Sequence, residues 1–255
     1  MRVCVFASGS GGNCLLVSGQ QGNILIDAGI SMRRIQASLQ QAGLSMQDIN
    51  GVLITHEHSD HISGLKMLAK HFKLPVFAPD RLAHELAALD KNIEAVIKPV
   101  SLKRQFNVSG FEITACHTPH DAIESVAYRL DGESSFALAT DMGHVTDDVK
   151  AMLRGVDTAL IESNYDEDML RSGPYPYFLK KRISSDFGHL SNSNCALLAE
   201  ELVKQGTNKL VLGHLSRENN KPDIALKTVG ERLHGSDAAL LCAPPQGFLD
   251  IKIGK

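Results

Sequence analysis

The chain has 255 residues, 43% of them hydrophobic and 22% charged, with a formal net charge of −3. This is the composition of an ordinary soluble globular protein, long enough for one large core, and a single domain over 1–255 is expected. It excludes collagenous, low-complexity and polycationic chains, so any nucleic-acid binding must come from a local patch. No run approaches the ~20 consecutive apolar residues of a spanning helix. The start, Met1 to Phe6, enters a strand without a signal peptide's apolar core, so the expected setting is the cytoplasm with no membrane partner. Five scattered cysteines (Cys4, Cys14, Cys116, Cys195, Cys242) form no CxxC pair, which argues for reduced, mostly buried thiols.

In chain order, Arg2–Phe6 reads as a strand, Ser8-Gly-Ser-Gly-Gly-Asn13 as a tight glycine turn, and Cys14–Val17 and Asn23–Asp27 as further strands. The turn lacks the Lys-Ser or Lys-Thr of a P-loop and leads into a strand, so nucleotide binding of that kind is not expected. Ser31 caps a helix from about Met32 to Gln41, which Gly43 ends. Gly51–Ile54 has the make-up of a buried strand, and Ile62–Ala69 has helical spacing. A strand at Pro75–Ala78 and a helix at Asp80–Leu89 follow. Then come β segments at Phe111–Thr114, Ser125–Leu130 and Ser135–Thr140, with Asp131-Gly132 as a hairpin turn. The second half reads as a helix near Asp147–Leu153, a strand at Thr158–Ile161, a helix at Asn192–Lys204 and a strand at Lys209–Leu212. A helix at Pro222–Leu233 and strands at Ala239–Cys242 and Phe248–Ile253 complete it. Helices and strands alternate in both halves, which suggests an α/β (α+β) fold, a four-layer αββα sandwich.

The densest chemistry lies between a strand and a helix, at Thr55-His-Glu-His-Ser-Asp-His61. At the end of an extended segment His56 and His58, two apart, point to the same side, while Asp60 and His61 fall in the turn that opens the helix. One short loop can thus face two neighbouring metal ions, for which imidazole and carboxylate are favoured ligands. Downstream, polar residues again follow apolar strands: Ala115-Cys-His-Thr-Pro-His120-Asp, Leu138-Ala-Thr-Asp141 and Leu210-Val-Leu-Gly-His214, while Asp27 closes Ile24–Ile26.

In this order the motifs resemble those of the metallo-β-lactamase fold hydrolases over nearly the whole chain. The resemblance implies His56, His58 and His120 on one divalent ion, Asp60, His61 and His214 on a second, Asp141 bridging them, and Asp27 as a supporting carboxylate. Both His117 and His120 are available to the first ion, and the family's Thr-Pro step favours His120. Finer features, Ser8–Asn13, Asp27-Ala-Gly29, His120-Asp-Ala122, Glu162-Ser-Asn164, Gly188-His-Leu-Ser-Asn192 and Gly213-His-Leu-Ser-Arg217, resemble the YycJ/WalJ family of metal-dependent nucleases. Three of those segments also resemble the tRNA 3′-processing nucleases, which carry a His beside the Glu where this chain has Ile161.

The implied function is a dinuclear phosphodiesterase, a 5′-to-3′ DNA exonuclease using two Zn²⁺, Mn²⁺ or Fe²⁺ ions and a metal-bridging hydroxide as nucleophile. Two ions roughly 3.5–4 Å apart clamp the attacking and leaving oxygens of an in-line displacement. Asp60 and His189 are the candidate catalytic residues, His189 as general acid or phosphate contact. Residues 171–182 hold three aromatics and four cations. Bases would stack on Tyr175, Tyr177 or Phe178 while Lys180, Lys181 and Arg182 neutralise phosphates. A stiff two-proline loop with packed rings and solvated charges is an equal reading. Arg217 and Asn192 are further substrate candidates, Asn192 also as a helix cap. The alternative function is hydrolysis of a thioester, lactone or other small-molecule ester on the same scaffold.

Overall fold

In the computed structural model, which describes residues 1–254, strand β1 (Arg2–Ala7) shows how the layers are built. Val3 and Val5 point into one apolar core and Cys4 and Phe6 into another, all of them fully buried. A strand buried on both faces reads as a continuous hydrophobic run rather than an alternating one.

After β1 the first sheet takes β2 (Cys14–Ser18), β3 (Asn23–Ile26), β4 (Ile49–Leu53), β5 (Val76–Pro79) and β6 (Ile97–Val100) in that order. The second sheet runs from β7 (Phe106–Val108) through β8 (Phe111–His117), β9 (Val126–Asp131), β10 (Ser135–Ala139), β11 (Thr158–Glu162) and β12 (Lys209–Gly213) to β13 (Ala239–Cys242). The last strand, β14 (Leu249–Lys252), crosses back to pair with β1. Each sheet is antiparallel at one end and parallel at the other, through β3 to β6 and through β10 to β13.

Helices cover the outer faces. Among the elements between β3 and β6, α1 (Met32–Gln41), α3 (Leu65–Phe72), α4 (Asp80–Leu89) and α5 (Lys91–Glu94) contribute to the first outer core, and the short α2 (Ser59–Ile62) closes the ligand loop. On the second sheet α6 (Asp147–Leu153), α9 (Asn192–Lys204) and α10 (Pro222–Arg232) do the same, while α7 (Glu167–Ser172) and α8 (Tyr177–Ile183) form an excursion before α9. A third core, with Tyr128, Phe136, Leu53 and Val211, lies between the sheets. The expected four-layer αββα sandwich is what the chain forms.

Several local expectations change. The helical run 62–69 is two helices, because the chain breaks at Gly64, whose N–H donates to the Ala28 carbonyl and where a side chain would overlap the Ile30 carbonyl. Of the expected stiff loop at 171–182, residues 177–182 are helical, in α8, with Pro176 immediately before the first turn. Ser191, not Asn192, caps α9, its hydroxyl accepting from the Asn194 N–H. Among the described residues no helix is long and apolar enough to cross a membrane.

Candidate metal centre

The parallel strands deliver their carboxyl ends to one edge, the place where open α/β sheets bind ligands. Three of the residues that follow them take left-handed backbone: Asp27 at φ 60°, Asp141 at φ 57° and His214 at φ 54°. That conformation costs a non-glycine residue roughly 1–2 kcal/mol. Backbone strain of this kind gathers where side-chain aim matters more than local stability.

The loop after β4 is fixed from behind. Asp27 accepts the Thr55 N–H at 2.8 Å through Oδ1 and holds His61 Nδ1 at 2.7 Å through Oδ2, both residues being fully buried. The glycine turn between β1 and β2 clasps the same loop: Asn13 N–H donates to the Asp60 carbonyl at 2.8 Å, and the Asn13 amide lies 2.9 Å from His61 Nε2. Gly29 lies so close to the Asp60 carbonyl that a Cβ there would overlap it.

Four donor groups assemble from these loops: His56, His58 and His120; His56, His61 and Asp141; Asp60, His61 and His214; and Asp141, Glu162, His189 and His214. Asp141 joins them. Its Oδ2 is 3.5 Å from His61 Nε2, and its Oδ1 is 3.5 Å from His214 Nε2 and 3.8 Å from His120 Nε2. Asp60 Oδ2 completes the third group at 3.6 Å from His61 Nε2 and 3.7 Å from His214 Nε2. Tetrahedral donors bound at about 2.0–2.1 Å lie roughly 3.3–3.4 Å from one another, so these separations are near those of ligands around ions.

The hydrogen bonding sorts the ring nitrogens in the same sense. On the Nδ1 side, His56 meets the Thr55 hydroxyl at 3.1 Å, His120 the Gly188 carbonyl at 3.0 Å, and His214 the Glu162 carboxylate at 3.2 Å. On the other side, His56 Nε2, His120 Nε2, His214 Nε2 and Asp141 Oδ2 are buried with no hydrogen-bond partner. Buried polar atoms are almost always paired. Four orphans in one cluster fit metal ligands whose orientation is set by supporting contacts.

Burial drives the His56 and His120 imidazoles below their usual range, helped at His56 by its neighbour His61. Burial would push the Asp141 carboxyl up, but His214, His61, His56 and His120 around it bring it well below the ordinary value. His214 shows the converse: burial works against its charge, and Asp141, Asp60 and Glu162 overcome it and raise it well above the usual imidazole value. The centre is thus set up with charged carboxylates among imidazoles.

Two residues that the sequence left unassigned complete the surroundings. Glu162, at the end of β11, is fully buried and accepts from Met142 N–H at 2.9 Å through Oε2, while its Oε1 is 2.7 Å from His189 Nδ1. Asn164 donates to the His214 carbonyl at 2.8 Å. Both sit in the Glu162-Ser-Asn164 motif, but an acid ending the apolar run Thr158–Ile161 gave no spacing signal of its own.

Of the other expected residues, His189, Tyr175 and Arg182 line a cavity of about 220 Å³ together with Asp60, His120 and His214. His117 does not join them; it is half exposed and faces Glu124 at 3.6 Å. Asn192 is fully buried and spent on Ser163 and Asn220, which leaves it no free surface for a substrate. Tyr177 is exposed with the Lys181 ammonium 5.7 Å from its ring centre, and Lys180 donates to the Arg171 carbonyl. Arg217 lays its guanidinium against Gly11, where any side chain would overlap it.

A family model described as a beta-lactamase superfamily domain matches residues 22–215. The exodeoxyribonuclease YycJ of Bacillus anthracis is 38% identical over 240 residues, which is 91% of this chain and 89% of that protein. The exodeoxyribonuclease WalJ of Streptococcus pneumoniae is 34% identical over 243 residues, 92% of this chain and 89% of its own. Among solved structures, the metallo-beta-lactamase fold protein YhfI from Bacillus subtilis superposes with a TM-score of 0.75 at 18% identity, over 98% of this chain and 99% of that one. The chain therefore belongs to the beta-lactamase superfamily and, within it, to the family of the YycJ and WalJ proteins.

Proposed function

We propose that the protein is a dinuclear metal-dependent phosphodiesterase that degrades DNA from the 5′ end. The observation that carries the reading is the convergence of four buried, unpartnered donor atoms, on His56, His120, His214 and Asp141, at the edge where both sheets end. The YycJ and WalJ relatives are exodeoxyribonucleases, and they supply the substrate class.

In this reading His56, His58 and His120 hold one ion, Asp60, His61 and His214 the other, and Asp141 both. The all-nitrogen and oxygen donor set suits Zn²⁺, Mn²⁺ or Fe²⁺. When bound, two such ions polarise phosphoryl oxygens and make hydroxide available near neutral pH. The chain's own residues do the rest. Asp27 keeps the His61 ring in the one orientation that presents Nε2. Asp60, which lines the cavity, orients the attacking group as well as serving as a ligand. His189, held through Nδ1 by Glu162, presents its other nitrogen to the leaving oxygen as proton donor. Five free thiols are consistent with work in a reducing cytoplasm.

The test is a substrate panel with Mn²⁺: bis(p-nitrophenyl) phosphate and a labelled oligonucleotide are expected to be hydrolysed, and nitrocefin and a lactoyl thioester to be inert. Inert phosphodiesters with a turned-over thioester would reverse the assignment. Metal itself should stabilise the fold, since free ion at 100 times its Kd adds about 2.7 kcal/mol. For a chain of this size that raises the Tm by roughly 5–10 °C. Chelation should reverse the gain in a thermal melt, and a Tm indifferent to Mn²⁺ and Zn²⁺ alike would contradict the ligand set.

A further inference from the structure

Among the described residues, none between 173 and 188 belongs to the three apolar cores, although Leu170 before them and Leu190 after them are buried. Helix α8 in the middle of this excursion buries none of its own residues. It is nevertheless placed with purpose. Leu179, Arg182 and Ile183, at helical spacing on one face, line the cavity beside the metal centre, and Tyr175 just ahead of the helix does so too. Tyr177 and Phe178 are left 74% exposed, so the helix turns its side with the arginine to the site and leaves two aromatic rings in solvent.

Arg182 is the one lysine or arginine among the residues that line the cavity, against the carboxylates Asp60, Asp121 and Asp141. Its Nε donates to Asp121 Oδ2 at 2.5 Å, and among the described residues neither of its terminal amino groups makes a hydrogen bond. Asp121 is itself fixed. Its N–H donates to the Phe187 carbonyl at 3.0 Å, and its Oδ1 lies 3.5 Å from His120 Nε2. One carboxylate therefore stands between the first ligand group and the guanidinium, aligning the arginine while leaving its two terminal donors for an anion. A guanidinium with two parallel donors is the side chain best shaped for a phosphate.

We infer that Arg182, positioned by Asp121 and carried by α8, receives the terminal phosphate of the strand, so that the protein selects 5′-phosphorylated ends. The inference rests on the nuclease reading for its substrate. Arg182 shares a cavity of about 220 Å³ with Asp60, His120 and His214, which puts the guanidinium beside the groups at which a strand would be cut. Because Asp121 separates the ligand groups from the guanidinium, the anion assigned to Arg182 is a neighbour of the phosphate cut at those groups and not that phosphate itself. A terminal monoester carries roughly −1.5 to −2 charge near neutrality. A bridging diester carries only one, so a lone arginine favours the end.

The experiment compares one single-stranded oligonucleotide, 3′-labelled, bearing either a 5′-phosphate or a 5′-hydroxyl, on the Mn²⁺-loaded wild type, Arg182→Ala and Arg182→Lys. Cleavage rates are read beside anisotropy of the same two strands on the metal-free proteins. The wild type should prefer the phosphate by about ten- to hundredfold in kcat/KM, the worth of one or two charge-assisted hydrogen bonds. Arg182→Ala should erase that preference through KM while changing the hydroxyl strand less than about threefold, and Arg182→Lys should restore part of it. Equal losses on both strands would make Arg182 a contact of the scissile phosphate, and an unchanged preference would make it a fastener of α8; either overturns the inference. Absence of cleavage of both strands by the wild type would defeat the nuclease reading, and phosphate-dependent binding lost in Arg182→Ala would still uphold the receptor. Binding indifferent to the phosphate would then defeat both.

Discussion

Changing Asp141 to Asn is expected to lower phosphodiester hydrolysis by at least about a thousandfold and to reduce bound metal from two ions to one or none. Contacts that merely support a ligand are worth about 10- to 100-fold. In the proposed reading Asp141 would serve both ions, since its two oxygens divide between His61 Nε2 at 3.5 Å and His214 Nε2 at 3.5 Å, with His120 Nε2 at 3.8 Å. Asn is the informative replacement because Asp141 sits at φ 57°, a backbone that Asn tolerates and a bulkier residue does not. The change removes charge without disturbing the turn. Metal content by elemental analysis and turnover by gel assay decide the matter, and a variant that retains two ions and wild-type speed would show that the ions, if bound, lie elsewhere.

Glu162 offers the second large effect. Its carboxylate is fully buried, yet it accepts from two backbone N–H groups, of Met142 and Leu190, and faces His189 Nδ1 and His214 Nδ1. Burial would raise its carboxyl, but His189 and His214 bring it below the ordinary value, so it is a charged acceptor at neutral pH. Glu162→Gln keeps the volume and removes the charge that orients both rings, and activity should fall about 10- to 100-fold. Glu162→Ala should lose as much and also cost roughly 2–4 kcal/mol in a urea melt, since it strands several buried donors. Activity within about threefold of wild type in Glu162→Gln would remove His189 from its assigned task.

Much of this was legible beforehand because it depends on short-range spacing. His56, His58, Asp60 and His61 declare themselves within six positions, and Asp141 and His214 each follow an apolar strand that ends at the same edge. The unreadable parts depend on partners far along the chain. Glu162 meets His189 across 27 positions and Arg182 meets Asp121 across 61, so neither pairing has a local signature. Two strands escaped for a related reason: β6 carries Pro99 and β7 has three residues, and both stand at sheet edges, where short and proline-bearing strands are tolerated. Helix α8 was hidden by Pro174 and Pro176, which look like loop residues but stand just ahead of its first turn. Asn192 misled in the other direction, since a polar residue next to Ser191 in a motif resembles a contact and is in fact a buried strut between Ser163 and Asn220.

The division of the donors between the two sheets has a mechanical meaning. His56, His58, Asp60 and His61 follow β4 in the first sheet, whereas His120, Asp141 and His214 follow β8, β10 and β12 in the second. Ions seated there would rivet the halves of the sandwich at one end of their seam. Neither half alone supplies all seven of these side chains, so bound ions would add to the cohesion that the apolar core already gives the two sheets.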